Sequence, residues 1–351
     1  MQMTLRWFGK LDPIPLKHIR QVPGVTGVVT SLMHIPAGEV WPRGECEAMR
    51  DEIHAAGLSV EVIESVNIHE DIKLGVPERD GWIEKYIQTM EHLAAVGVKV
   101  ICYNFMPVLD WARSHLFYDL PDGSNTMFFS REFIQNTTPE KLAARYAEQS
   151  GGIDLPGWEP ERLKHIVDTV ERYTHISQEQ YWDNTRYFLH KIIPHAERLG
   201  IKMAIHPDDP PWPLFGLPRL INSRDNIKRV LELYPSPNNG LTLCTGSLGA
   251  DPDNDIPAII REFSDKIHFA HIRNLKFLEG GDFYESAHPT QCGSLDMLGI
   301  IRAFAESGFD AYIRPDHGRM VWGETGRAGY GLYDRAMGAA YILGIWEALT
   351  K

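Results

Sequence analysis

Four residues able to bind a divalent metal stand at the ends of short apolar runs: His206 in KMAIH, Cys244 in LTLC, His271 in IHFAH and Asp316 in AYIRPD. Imidazole nitrogen, thiolate sulfur and carboxylate oxygen together suit Zn²⁺, Fe²⁺, Co²⁺ or Mn²⁺ better than Mg²⁺ or Ca²⁺. The four residues lie 38, 27 and 45 positions apart. These gaps scatter about the roughly 31 residues of one strand–helix unit in a barrel of ~250 residues. In a closed parallel barrel the C-terminal strand ends converge on one mouth, so four such side chains can meet around one ion. A single histidine, or a single cysteine, is more ordinarily a packing residue. The recurrence at consecutive strand ends carries the expectation.

Chemistry beyond metal binding is placed close by. In RPDHGR, His317 follows Asp316 directly and can move a proton to or from a molecule held at the ion. Downstream, GYGLYDRAMG brings Tyr330 and Tyr333 back toward the mouth, and either phenol could be a second acid or base. Strand alternation puts Arg273 on the same face as His271, and His268 on the opposite one. Arg273 and Arg319 are the expected substrate-binding residues, since a guanidinium fork grips a carboxylate through two parallel hydrogen bonds, with a salt bridge beneath the mouth the equal alternative for Arg273.

The elements needed to hold these groups are legible. Strand-like runs occupy residues 4–8, 25–32, 59–65, 98–104, 202–206, 240–244, 266–272 and 311–316, with helical patterns between them. Gly57, Gly97, Gly200 and Gly308 each precede a strand, where glycine's access to the left-handed region closes a helix. The fold class predicted is α/β, a (β/α)8 TIM barrel, formed by one domain over residues 1–351. The interval from Pro107 to Lys202 is far too long for one helix and two loops. It predicts a helical insertion between strands 4 and 5, over approximately 110–180, as a lid or a subunit contact. Within it TTPEKLAARYAE and EPERLKHIVDTVERY read as helices, and SQEQ at 177–180 reads as a capping box.

Composition excludes several function classes. A length of 351 residues, 43% hydrophobic and 23% charged, is ordinary for a globular enzyme. The net charge of −12 disfavours nucleic acid and anionic membrane as partners. Cys46, Cys102, Cys244 and Cys292 form no disulfide pattern, and MQMTLRWFGK carries no secretory stretch, so a cytoplasmic location is expected. The apolar run AAYILGIW is too short to cross a bilayer.

With these pieces assembled, the chain resembles the mannonate dehydratases of the xylose-isomerase-like barrel superfamily. The resemblance spans nearly the whole length and is most specific in LRWFG with DPIPL, AIHPDDPP, LCTGSLG, HFAHIRN, and RPDHGR followed by GYGLYDRAMG. It implies dehydration of D-mannonate to 2-keto-3-deoxy-D-gluconate in hexuronate (glucuronate) catabolism, with one Mn²⁺ or Fe²⁺ per subunit. It places the metal ligands on His206, Cys244, His271 and Asp316, and the catalytic pair on His317 and Tyr330. The chain is expected to act as a homo-oligomer on a small sugar acid. Two other readings stay open at this stage. One is a metal-dependent isomerase or epimerase on the same barrel, although such sites resemble sets of strand-end glutamates. The other is a noncatalytic metal or sugar-acid binder, since four protein ligands can close a tetrahedral zinc site.

Overall fold

Strands buried on both faces must be apolar almost throughout, and the Val- and Ile-rich runs of this chain meet that demand. The computed structural model describes residues 1–153, 155–158, 163 and 165–351. In it β1 (Gln2–Arg6), β2 (Val25–Thr30), β3 (Ser59–Glu64), β4 (Val100–Tyr103), β7 (Lys202–Ile205), β8 (Asn239–Cys244), β9 (Ile267–Ile272) and β12 (Tyr312–Pro315) pair in parallel. They close into a barrel in the order β1-β12-β9-β8-β7-β4-β3-β2. All eight barrel strands coincide with runs expected from sequence, the first beginning two residues earlier. The four predicted closing glycines have φ of 74°, 91°, 70° and 68° at positions 57, 97, 200 and 308.

Alternation divides each strand's side chains between two destinations. Outward residues such as Leu5, Ile63, Ile101, Met203, Leu243 and Ile272 pack in the core shared with the helices. Inward, Val29, Val62, Val100, Cys102, Ala204 and Phe269 fill the barrel as an apolar plug. The next inward position on each strand therefore emerges at the C-terminal mouth. Those positions are Arg6, Ser31, Glu64, Asn104, His206, Cys244, His271 and Arg314. Register sets Cys244 opposite His271, and His271 opposite Arg314.

The insertion is only partly helical. It opens with an antiparallel hairpin, β5 (His115–Asp119) and β6 (Asn125–Phe129), turned at Gly123 with φ of 81°. This hairpin joins another, β10 (Asn274–Phe277) with β11 (Phe283–Ser286), in a four-stranded sheet ordered β10-β11-β6-β5. Helices follow at Pro139–Gln149, Ile166–Tyr173 and Gln178–Leu199. Of the second predicted helix, residues 159–162 and 164 lie outside the described residues. The capping box forms as expected, with Ser177 Oγ accepting from Gln180 N and Gln180 Oε1 accepting from Ser177 N. Among the described residues no helix is long and apolar enough to cross a membrane.

Candidate active site

His206, one residue past β7, donates through Nδ1 to the Pro207 carbonyl at 2.7 Å, since a carbonyl can only accept. That fixes the lone pair on Nε2, which faces Nδ1 of His271 at 3.1 Å. Cys244 ends β8 and caps the short helical turn Thr245–Gly249. The Ser247 backbone N–H and hydroxyl donate to its sulfur at 3.4 and 3.0 Å, which pins the thiol in place. One ligand atom each from His206, Cys244 and His271 lies within 4.8 Å of the other two. Donors bound ~2.0 to 2.3 Å from one ion would stand at comparable spacings, so the set fits a divalent metal. Asp316 lies beside the three, 3.6 Å from Cys244 Sγ and 3.9 Å from His271 Nδ1. Arg314 at 2.7 Å and Arg273 at 3.1 Å hold its carboxylate at the edge of that group.

A second grouping, Glu64 with Cys102 and His271, is also close enough to hold an ion. It is the poorer cage. Burial pushes the Cys102 thiol well up, away from the thiolate that a metal needs, and Glu64 is gripped by Arg314 at 2.9 and 3.2 Å. Glu64 instead stands 3.3 Å from His271 Nε2, placed to orient that ring while Nδ1 faces the ligand group.

Beside these candidate ligands, Arg273 is fully buried, with Nη1 on Glu285 at 2.5 Å and Nη2 on Asp209 at 2.7 Å and Ser247 at 3.0 Å. Arg113 grips the same two acids, Asp209 at 2.9 and 3.1 Å and Glu285 at 2.7 Å. Burial alone would raise the Asp209 and Glu285 carboxyls, but the two guanidiniums outweigh it and hold both below the usual range. Asp316 behaves likewise: desolvation is outweighed by His317, Arg314, His271 and Arg273. An ordered lattice of charges thus fixes the floor of the mouth.

His317 sits on that lattice. Nδ1 meets Arg273 Nη1 at 2.9 Å and, farther off, Glu285 at 3.4 Å, while Nε2 meets the Tyr330 hydroxyl at 3.0 Å. Burial pushes the Tyr330 phenol up, so it stays protonated. His206, His271, Asp316, His317 and Tyr330 line one cavity with Arg6, Glu64, Arg314, Asn67 and Asn104. Its far wall comes from the insertion, through Asp110, Trp111, Pro156 and Gly157. Trp111 donates to the Pro156 carbonyl at 2.6 Å and stacks on Tyr146 at 5.4 Å.

The two expected substrate-binding arginines stand elsewhere. Arg319 turns to Asp334 at 3.0 Å and Asp122 at 2.9 Å and does not line the cavity, because the loop after β12 carries it outward toward the helix Leu332–Thr350. Arg273 shares the face of His271 as alternation requires, yet its fork is consumed by protein acceptors below the cavity. Sequence reasoning missed Arg6, Glu64, Asp209 and Glu285. Arg6 and Glu64 had a signal, being inward ends of β1 and β3. Glu285 had none, since β11 was not recognised as a strand. Tyr333 is 46% exposed and packs on Trp322, away from His317.

Polar and charged strand-end residues gathered at the C-terminal mouth of a closed parallel barrel, with donors for a metal and a His–Tyr pair beside them, define a barrel enzyme for a small polar substrate. The family model of D-mannonate dehydratase (UxuA) matches residues 1–351. The chain is 54% identical to the mannonate dehydratase of Thermotoga neapolitana, covering 100% of this chain and 98% of that one. It is 54% identical to that of Lactococcus lactis subsp. cremoris, covering 100% and 99%. The crystal structure of mannonate dehydratase from Streptococcus suis serotype 2 superposes with a TM-score of 0.90 at 40% identity, covering 99% of this chain and 95% of that one. The chain belongs to the D-mannonate dehydratase family, whose members are metal-dependent hydro-lyases.

Proposed function

We propose that this chain dehydrates D-mannonate to 2-keto-3-deoxy-D-gluconate, using Mn²⁺ or Fe²⁺ held by His206, Cys244, His271 and Asp316. The observation that carries the metal assignment is the convergence of three ligand atoms within 4.8 Å, from residues 38 and 27 positions apart in sequence. Removing the proton α to a carboxylate builds up a dianionic enediolate that water stabilises poorly. A divalent ion bound here supplies the positive charge that offsets it. The chain's own residues supply the rest. His317 and Tyr330 carry the proton transfers, the C2 proton leaving and the C3 hydroxyl departing as water. Arg273 can only donate, so its 2.9 Å contact leaves the imidazole hydrogen on Nε2, aimed at Tyr330 and the cavity. His317 thereby gives a proton toward the departing C3 hydroxyl through the Tyr330 hydroxyl, and the lone pair so freed takes the C2 proton, so the pair ends the turnover in the state in which it began. The Trp111 wall narrows the mouth on the insertion side and limits water around the reacting carbons.

The test is incubation of metal-stripped protein with D-mannonate and Mn²⁺, Fe²⁺, Zn²⁺ or Mg²⁺, with assay of the 2-keto acid. Formation of the 2-keto-3-deoxy acid with Mn²⁺ or Fe²⁺ is expected. Conversion to an isomeric acid without loss of water would replace the dehydratase reading with the isomerase one.

A further inference from the structure

Arginines at the site are satisfied by protein carboxylates, with one exception among those lining the cavity. Arg314 is taken up by Glu64 and Asp316. Arg6, at the inward end of β1, lines the same cavity and is only 3% exposed, yet it forms no ion pair with any carboxylate among the described residues. Its Nη1 donates to the Trp7 and Val29 carbonyls at 3.2 and 3.1 Å, and its guanidinium lies over the Phe8 ring at 4.4 Å. These contacts fix the plane of the group and employ one of its nitrogens. Nε and Nη2 have no protein acceptor among the described residues. Glu64 acts on the guanidinium only at a distance, and that attraction does not repay the hydration lost on burial. Desolvation accordingly draws Arg6 down to about 10, where it is still charged at neutral pH.

We infer that Arg6 is the specificity-determining residue that anchors the substrate's carboxylate, its free edge forming the two-pronged bond that Arg273 and Arg319 cannot offer. A planar fork held rigid before binding loses little freedom on meeting a planar carboxylate. The cavity joins this edge to the His317–Tyr330 pair, since Tyr330 lines it and packs on Phe8 with ring centroids 4.7 Å apart. A substrate gripped at C1 by Arg6 thus presents C2 and C3 to the proton-transfer groups. The inference rests on the sugar-acid reading of the substrate.

The experiment compares two competitive inhibitors of metal-loaded protein: 3-deoxy-D-mannonate, which lacks the departing hydroxyl, and its neutral primary amide. Wild type should bind the acid more tightly than the amide. In Arg6→Gln that preference should fall by a factor on the order of 10 to 100, as expected for hydrogen bonds to a charged group, with amide affinity nearly unchanged. Arg6→Lys, which keeps the charge and loses the fork, should retain an intermediate preference, and it serves as the readout if Arg6→Gln does not fold. An undiminished preference in a folded variant with normal metal content would overturn the assignment of Arg6. Indifference of wild type to the inhibitor's charge would overturn the sugar-acid reading and the inference together.

Discussion

Arg273 Nη1 lies 2.9 Å from Nδ1 of His317, and a guanidinium has hydrogens to give and no lone pair to receive one. The buried arginine therefore selects which imidazole nitrogen carries the hydrogen, although it never reaches the cavity. The same group binds Asp209, Glu285 and Asp316, so the orientation of His317 is tied to the charge lattice under the barrel mouth.

His317→Asn should keep its metal and lower kcat by about 10² to 10⁴, the usual loss for a general acid or base. Metal content by mass spectrometry and steady-state kinetics check this together. Loss of metal, with full activity restored by excess Mn²⁺, would move the proton transfer to Tyr330 and leave His317 as a support for Asp316.

Arg273→Met should be strongly destabilising. It leaves Asp209 and Glu285 with Arg113 as the guanidinium they share, and removing one partner from a buried ion pair typically costs about 3 to 5 kcal/mol. The shift in urea midpoint at constant m-value measures it. A loss below about 1 kcal/mol would mean that the lattice is redundant.

Cys244→Ser should weaken binding of Zn²⁺ or Fe²⁺ more than that of Mn²⁺, because the harder hydroxyl replaces a thiolate that favours softer ions. Competition between metals for the stripped protein gives the ratio. Equal weakening for all ions would place the sulfur outside the coordination sphere.

His268, near the start of β9, supplies a pH dependence far from the chemistry. Burial, with Lys202 and Lys266 nearby, draws its imidazole from 6.5 down to about 3. Above pH 6.5 it is neutral in folded and unfolded chains alike and contributes nothing. As pH falls from 6.5 toward 3, the unfolded chain takes up the proton first, so stability declines by up to ~1.4 kcal/mol per pH unit. His268→Gln should flatten that part of the stability–pH curve. Parallel curves for variant and wild type would exclude His268 as a contributor.

The barrel strands and the shared mouth position of His206, Cys244 and His271 were legible because both follow from local rules. Apolar runs ending in donor residues mark strand ends, and alternation fixes which residues face inward, as for His271 and Arg273. What lay beyond reach depends on contacts distant in sequence. The Asp-Gly in DLPDGSN is a hairpin signal that an otherwise helical insertion obscured. Glu285 acquires its role only when β11 pairs with β6 and carries it over Arg113 and Arg273. Arg319 was expected at the substrate because it stands in RPDHGR. The loop after β12 carries it away from the cavity, and Asp334 captures it. Arg6 was passed over because an arginine at the end of a strand has the same appearance whether or not an anion awaits it.

The central claim is that one divalent ion at His206, Cys244, His271 and Asp316 is required for elimination of water from D-mannonate. Its most direct measurement is a titration of metal-stripped protein with Mn²⁺, recording bound metal and 2-keto acid formation in the same samples. Activity should rise from near zero and saturate at one equivalent per chain, and His271→Ala should lose both binding and activity. Full activity in metal-free protein, or unchanged metal binding in His271→Ala, would contradict it.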